Sequence, residues 1–506
     1  MAQLSLTDLT IDEAVRTHAT TRPDDIAVVD PRATLTWSAL DAAAHKVTRF
    51  LRDQGVRPGD RVGWLGPNSV HYPAVLLGTW RLGAAIVGMN WRLPEGELAR
   101  AAQAVDLAHV VADFRFAEVA GNVLAGRTSI AGPNAAPWDD LDATALDTVV
   151  EDDSDDAMIY FTSGSTGTPK AVPLTRGAVE ATIVHADVHH FTSESRALII
   201  PPAFHVAGAT WTNYGLKHGV SLVYTDDASP AGLVDALRTH RITHTIMVPT
   251  LIHALVLELR RNPQPLPDLE HVGYGASPIT SALLEEALER LDCEFSQVYG
   301  MTEAGGGVTF LLTEDHAADP AYRHRLGSAG RPGTDVELDV RDSKGAPVPT
   351  GESGELWFRT PCLTRGYIGI DDPSGGVLVD GWLNTHDVGY QDADGYVYVQ
   401  GRSDDMIQTG GENVHPRAVE EILSQHPGVA DCAVYGTPHE HWGEQVCAAV
   451  VPASDGVTEQ DLIAHCAARL AGYQVPKKLL ILTELPRTAT GKVLRKNLAE
   501  QTLANG

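Results

Sequence analysis

Tyr160-Phe-Thr-Ser-Gly-Ser-Thr-Gly-Thr-Pro-Lys170 concentrates hydroxyls, glycines and one cation directly after a strand-like run. Glycine lets backbone N–H groups turn toward anionic oxygens, serine and threonine hydroxyls add donors, and Lys170 supplies a neutralising charge. A loop of this kind is suited to wrapping a polyphosphate, and its candidate ligands are Thr162, Ser163, Gly164, Ser165, Thr166, Gly167 and Lys170. A short Ser/Gly run met in isolation reads equally as a flexible surface loop. The spacing differs from the nucleotide-triphosphatase loop, where Gly-Lys-Ser/Thr opens a helix, because Lys170 follows Pro169 and precedes Ala171-Val-Pro173.

Outward from this loop the pattern is α/β. Asp25-Ile-Ala-Val-Val29 and Arg61-Val-Gly-Trp-Leu65 read as strands around the helix-periodic segment Trp37 to Leu51, and Ala197–Ile200, Ser221–Tyr224 and Thr245–Val248 continue the alternation. From about Gly327 the texture changes to short strands punctuated by Gly and Pro, such as Val336–Val340 and Gly354–Phe358, which predicts a small β-rich unit. After Asp404, the strands Cys432–Tyr435 and Val446–Val451 flank a helical pattern at Arg417–Ser424, as expected for a compact α+β lid.

A chain of 506 residues is too long for one core, and 43% hydrophobic residues suffice for several. The most apolar stretch, Tyr72 to Met89, is interrupted by Arg81, so no membrane span is expected, and the N-terminal residues lack a secretory pattern. The expected location is cytoplasmic. Five cysteines without a Cys-x-x-Cys pair suit reduced, buried thiols, and no structural zinc motif is visible. A formal charge of −28 argues against nucleic acid or an anionic membrane surface as partner. Any anionic ligand must therefore be met by positive potential focused locally.

Further motifs follow in order: Tyr299-Gly-Met-Thr-Glu-Ala304, Thr385-His-Asp-Val-Gly389, Gly401-Arg-Ser-Asp-Asp-Met-Ile407, Gly410-Gly-Glu-Asn-Val414 and Pro486-Arg-Thr-Ala-Thr-Gly-Lys492. With the loop at 160–170, they resemble the adenylate-forming superfamily of acyl-CoA synthetases, luciferases and peptide-synthetase adenylation domains. The closest look is to aryl-CoA and fatty-acyl-CoA ligases. The resemblance implies an α/β fold with a large N-terminal acyl- and ATP-binding domain, residues 1–403, built of two α/β sheets plus a β-rich subdomain at about 327–403. A small mobile α+β domain, residues 404–506, would follow, with its hinge at Asp404.

The implied reaction joins a small-molecule carboxylic acid to AMP at the expense of ATP and Mg2+, then passes the acyl group to the thiol of CoA. By the same resemblance the loop holds the β- and γ-phosphates, Thr302 the α-phosphate, Glu303 the magnesium, Asp387 the ribose, Arg402 ribose or phosphate, and Tyr299, with Gly300 beside it, the adenine. Lys492 would carry its charge between the carboxylate and the α-phosphate. Apart from the resemblance, Thr302-Glu303 would pass for a helix N-terminus, Tyr299 for a core tyrosine, Asp387 and Arg402 for surface charges and Lys492 for a solvent-exposed tail lysine.

The pantetheine arm of CoA would pass the Gly410-Gly411-Glu412 loop, with Trp442 stacking on its adenine and Arg92 and Lys477 contacting its phosphates. His205, in Pro-Pro-Ala-Phe-His, resembles an aromatic–histidine pair beside the carboxylate; otherwise it is a buried core histidine. Trp211, Tyr274-Gly275-Ala276 and Gly305-Gly306-Gly307 are the expected acyl-pocket lining, and three consecutive glycines make room for a bulky or aromatic acid. His185, His189 and His190 have spacing that suits a metal on a helix. They receive no role.

Four positions depart from the common pattern: Ala171, Arg176, His386 and Gln408. Bulk near the phosphate loop would obstruct pyrophosphate, which keeps open a thioesterification-only enzyme that takes a preformed acyl-adenylate. A stand-alone adenylation enzyme that loads a carrier protein is the other alternative. The sequence leaves oligomeric state open, a homodimer included.

Overall fold

Short runs of Val, Ile and Ala ending in turn residues form parallel strands that are buried on both faces, as in Ala85–Met89 and His109–Asp113, where every residue is buried. The computed structural model describes residues 9–124, 127–132, 135–146, 152–162, 170–316, 320–370, 374, 376–453, 456–487 and 493–504.

Four sheets organise the chain. A six-stranded sheet runs Thr128–Ala131, His109–Asp113, Arg61–Leu65, Ala85–Met89, Asp156–Thr162, Lys170–Thr175, and only the last strand is antiparallel to its neighbour. A nine-stranded sheet has Arg196–Ile199, His244–Met247, His271–Gly275 and Glu294–Met301 side by side and parallel at its centre, with Gly306–Leu311 antiparallel to the last of these. Residues 337–402 form a five-stranded antiparallel sheet, and residues 407–481 a second five-stranded sheet with the helices Pro416–Ser424 and Glu459–Ala467. This is the expected α/β architecture, and the helix expected at Trp37–Leu51 runs Trp37–Asp53. No helix among the described residues is long and apolar enough to cross a membrane.

One apolar cluster joins the two large sheets. It takes Val62, Ile86 and Val111 from the first, Val28, Ile199 and Leu222 from the second, and side chains of the helices Trp37–Asp53, His71–Arg81 and Val206–His218. Helix His71–Arg81 is buried from Tyr72 to its end, so the run read as too interrupted for a membrane is a core helix between sheets. All five cysteines are unpaired thiols, of which Cys362, Cys447 and Cys466 are buried.

Arg81, at the end of that helix, is 2% exposed. Its Nε donates to Asp12 Oδ1 at 2.7 Å and its Nη2 to Asp41 Oδ1 at 2.6 Å, which ties the helices Ile11–Thr21 and Trp37–Asp53 to the core. Removing the cation takes a charge-assisted partner from Asp12, which keeps Arg16, and from the part-exposed Asp41, a change that costs about 1.5–3 kcal/mol. Arg81→Met is therefore expected to lower the unfolding free energy obtained from urea titration by that amount, and an unchanged value would show the ion pairs to be energetically idle.

Candidate active site

The ends of the two large sheets are stapled together by the segment 364–368. Thr162 and Lys170 are register partners at the loop end of their hairpin. Ser163, Gly164, Ser165, Thr166 and Gly167 lie outside the described residues. Lys170 Nζ sits 4.7 Å from the ring centroid of Tyr367, and the Tyr367 hydroxyl donates to Glu303 Oε1 at 2.9 Å. The backbone repeats the connection: Ile368 N–H donates to the Ala171 carbonyl at 3.0 Å, and Thr364 N–H to the Glu303 carbonyl at 2.8 Å. The Thr364 hydroxyl reaches the Pro173 carbonyl at 2.6 Å.

Burial and the Glu303 charge raise the Tyr367 phenol above its ordinary range, so it stays a donor. One carboxylate oxygen of Glu303 is thereby fixed. The group is a hard oxygen donor on a turn, which fits an oxygen-preferring cation such as Mg2+. Thr302 and Glu303 sit in a 3-10 turn, Thr302–Ala304, and do not open an α-helix.

A second cluster is built across the strands Trp382–Gln391 and Val397–Arg402, where Asp387 and Arg402 are register partners. The Tyr299 hydroxyl donates to Asp387 Oδ2 at 2.5 Å, and the ring packs against Phe358 at 6.1 Å between centroids. Burial and the neighbouring carboxylate push the Tyr299 phenol well above its ordinary range. Arg402 lies between two acids, with Nη1 3.6 Å from Asp387 Oδ1 and Nε donating to Asp404 Oδ1 at 2.9 Å. Asp404 is well exposed where the chain leaves for its last sheet. Beyond it, Arg417 Nη1 donates to the Val399 carbonyl at 2.8 Å, which docks the following helix on the strand before the link.

His205 caps the helix Val206–His218, half-buried, with its ring 4.3 Å from that of Phe204. Arg92, expected at CoA phosphate, lies 4.9 Å over Trp91 and 5.9 Å from Phe204, so the fold brings it to the His205 segment. Gly306 faces the same helix. A Cβ there would find only Thr210 Oγ1 and Val206 Cγ2, at 3.7 and 3.8 Å, so this glycine does leave room. Gly305 ends the 3-10 turn in the left-handed region, with its carbonyl 3.4 Å from the Thr210 hydroxyl.

Gly275 and Gly307 serve packing: a Cβ on the first would sit 2.2 Å from the Val298 carbonyl, and on the second 2.6 Å from the Phe310 ring. Ala276 is exposed at the strand end with a φ of 65°. Tyr274 is a correction. Strand alternation turns it away from Gly273 and Gly275 into a fully buried cluster, where its hydroxyl meets His316 Nε2 at 3.0 Å. Trp211 is likewise only 2% exposed, packed on Gly273, His189 and Phe191, and does not present an open lining.

The last sheet carries the remaining group. Gly410 and Gly411 have φ of 62° and 87° and form the two-residue turn between Ile407–Thr409 and Glu412–Val414, a primed turn that requires positive φ at both places. Gly410 N–H donates to the Trp442 carbonyl at 2.9 Å, and Glu412 is exposed beside the turn. Trp442 is 38% exposed, stacked on His439 at 4.5 Å, with Lys477 Nζ 6.0 Å from its ring. Lys492 lies outside the described residues. Its flanks are held by a bridge between Arg487 and Val493 and by Arg495, which pairs with Glu420 at 2.7 Å.

Of the four departures, Ala171 and Arg176 turn inward, 2% and 5% exposed, and the Arg176 guanidinium lies 4.3 Å over Trp80. Gln408 pairs with Glu444 through its backbone, and His386 is half-exposed with a φ of 58°. Sequence reading missed Tyr367, Thr364 and Arg417. The contact from Tyr367 to Glu303 spans 64 residues, and no spacing rule announces it.

Two α/β sheets meeting at a Lys–Tyr–Glu staple, with a small α+β unit attached behind a charged strand end, constitute the architecture of the adenylate-forming enzymes. The chain belongs to the AMP-binding enzyme family, whose model matches residues 15–368. The model of the AMP-binding enzyme C-terminal domain matches residues 418–492. It is 36% identical over 477 residues to a feruloyl-CoA synthase of Amycolatopsis sp, covering 94% of this chain and 95% of that one. It is 34% identical over 503 residues to a fatty acid–[acyl-carrier-protein] ligase of Streptomyces coeruleorubidus, covering 97% and 96%. An o-succinylbenzoate CoA synthetase of Bacillus subtilis, solved with its acyl-adenylate intermediate, superposes with a TM-score of 0.83 at 27% identity over 96% of this chain and 97% of that one.

Gly300 joins the two strands at the centre of the site. A Cβ there would lie 1.8 Å from the Gly306 carbonyl oxygen, so Gly300→Ala must prise apart the strands that carry Tyr299 and the Thr302–Ala304 turn. Such overpacking costs about 1–3 kcal/mol. The variant should lose that much unfolding free energy in urea titration and lose activity out of proportion to the loss of fold; full activity would show that the strand pair can shift freely.

Proposed function

We propose that the protein is an acyl-CoA ligase that activates a bulky or aromatic carboxylic acid as its acyl-adenylate and passes the acyl group to CoA. The observation that carries this reading is the convergence of Lys170 and Glu303 on Tyr367 at the joined ends of the two sheets. A cation and a fixed carboxylate there suit a metal-bound polyphosphate, and the Tyr299–Asp387–Arg402 cluster suits a nucleoside.

In the first step the acid's carboxylate oxygen attacks the α-phosphorus of ATP and the bond to pyrophosphate breaks. Bound Mg2+ neutralises phosphate charge. Glu303 would hold that ion and Thr302 the α-phosphate, while Lys170 and the loop residues Thr162 to Gly167 would hold the departing phosphates. Asp387 would accept from the ribose hydroxyls, Tyr299 would line the adenine, and Lys492 would sit on the charge developing between carboxylate and phosphorus. His205 would orient the acid. In the second step the CoA sulfur attacks the acyl carbon, the bond to AMP breaks and the thiol proton is released.

The second step needs a separate surface, and the turn Gly410-Gly411 with exposed Trp442 and nearby Lys477 supplies one. We place the moving body at residues 404–506 and its hinge at Asp404, where Arg402 can exchange one acid for another. The inward orientation of Ala171 and Arg176 removes the reason for expecting an obstructed phosphate site, which favours the complete reaction over thioesterification alone.

Lys492→Ala separates the steps. Loss of one preorganised cation at the reacting phosphate is worth roughly 3 kcal/mol, so acid-dependent pyrophosphate release should fall by about 100-fold. Thioester formation from synthetic acyl-adenylate and CoA should stay near the wild-type rate. Equal losses in both assays would refute the division of labour, and acylation of a carrier protein in preference to CoA would replace free CoA as the acceptor.

The acid's size is tested at Gly306. Val206→Phe projects a ring into the gap that this glycine leaves, so kcat/KM for aromatic acids should fall by about tenfold or more relative to acetate. A wild-type preference for acetate would refute the roomy pocket outright.

A further inference from the structure

The opposite end of the nine-stranded sheet carries a second cluster. His271 opens the strand His271–Gly275, Glu294 opens Glu294–Met301, and the two are register partners. His190 follows the 3-10 turn Thr182–His189 in the left-handed region and reaches the same edge. Glu294 Oε2 lies 2.8 Å from His190 Nδ1 and 3.8 Å from His271 Nδ1, and the ligand atoms of the three residues all fall within 4.8 Å of one another.

His271 is 1% exposed, and its Nδ1 is a buried nitrogen without a hydrogen-bond partner. Its Nε2 meets Ser296 Oγ at 2.7 Å, and the same hydroxyl meets His189 Nδ1 at 3.0 Å. Ser296 has one proton for two imidazoles. If it gives that proton to His189, it accepts from His271 Nε2–H, and His271 Nδ1 then turns a lone pair toward the Glu294 carboxylate. In that arrangement two electron-rich atoms face each other across 3.8 Å, which suits a cation between them. A ring whose far N–H is held by an oxygen is also the usual outer support of a metal-bound histidine.

We propose that His190, His271 and Glu294 bind a divalent transition-metal ion of the zinc class, clamping the turn Thr182–His189 to the sheet and leaving one coordination position for water. Two imidazoles and a carboxylate suit Zn2+ and Co2+ better than Mg2+ or Ca2+, which prefer all-oxygen shells. Glu294 stands five residues before Tyr299 on one strand, roughly 17 Å at about 3.3 Å per residue. The site is therefore distinct from the ligase centre and independent of the function proposed for it.

The full-length protein, stripped with EDTA, should take up one equivalent of Co2+ with a visible absorption spectrum of a four-coordinate ion, and one equivalent of Zn2+ should raise its melting temperature. In His190→Ala and Glu294→Gln, whose changed side chains are exposed, Co2+ affinity should fall by at least about tenfold while thioester formation stays at the wild-type rate. His271→Ala empties a buried site and need not fold, so the two exposed variants decide. No uptake by the wild type, or the same uptake and spectrum in both variants, would overturn the proposal.

Discussion

The hydrogen bond from the Tyr367 hydroxyl to the Glu303 carboxylate, with Lys170 over the face of the same ring, is the joint on which the candidate site depends. Lys170 belongs to the edge of one sheet and Glu303 to a turn at the end of a strand in the other. Neither sheet alone can bring a cation and an acid together. The loop 364–368 does so through a side chain and two backbone bonds, and the phenol's raised pKa keeps it a donor across the range in which the carboxylate is charged.

The same logic governs the overall charge. A chain with a net charge of −28 repels a polyphosphate at long range, and the positive groups near the site are few. The fold compensates by position. Arg402 is shared between Asp387 and Asp404, so its charge is held at the point where the body of the protein passes to the last sheet. A guanidinium between two acids can trade one for the other at little cost, whereas one bonded to a single buried partner cannot. The docking of Arg417 on Val399 gives the following helix a defined seat.

Glycine has two separate uses in this molecule. At Gly300, Gly275 and Gly307 it permits backbones or rings to approach where a methyl group would collide, and so fixes the strands. At Gly306 a side chain would meet only ordinary contacts, and the empty volume faces the helix that His205 begins. Three glycines in a row look alike in the sequence, yet only at Gly306 would a Cβ meet nothing closer than ordinary contact.

Local chemistry determined much on its own. Strand and helix runs such as Arg61–Leu65 and Trp37–Asp53 follow from hydrophobic period, and the Gly410-Gly411 turn was legible because it works through neighbours in the chain. What only the tertiary structure decided depends on distance along the chain or on which face a residue takes. Tyr367 reaches Glu303 across 64 residues. Tyr274 is turned into the core by strand alternation, and Arg92 goes to Phe204. His190 meets Glu294, 104 residues away, because the turn Thr182–His189 ends beside the start of the strand Glu294–Met301. A sequence records which groups exist and their local spacing. Packing of sheets against shared helices sets which of them meet, because burial energy is collected over the whole core and belongs to no single segment.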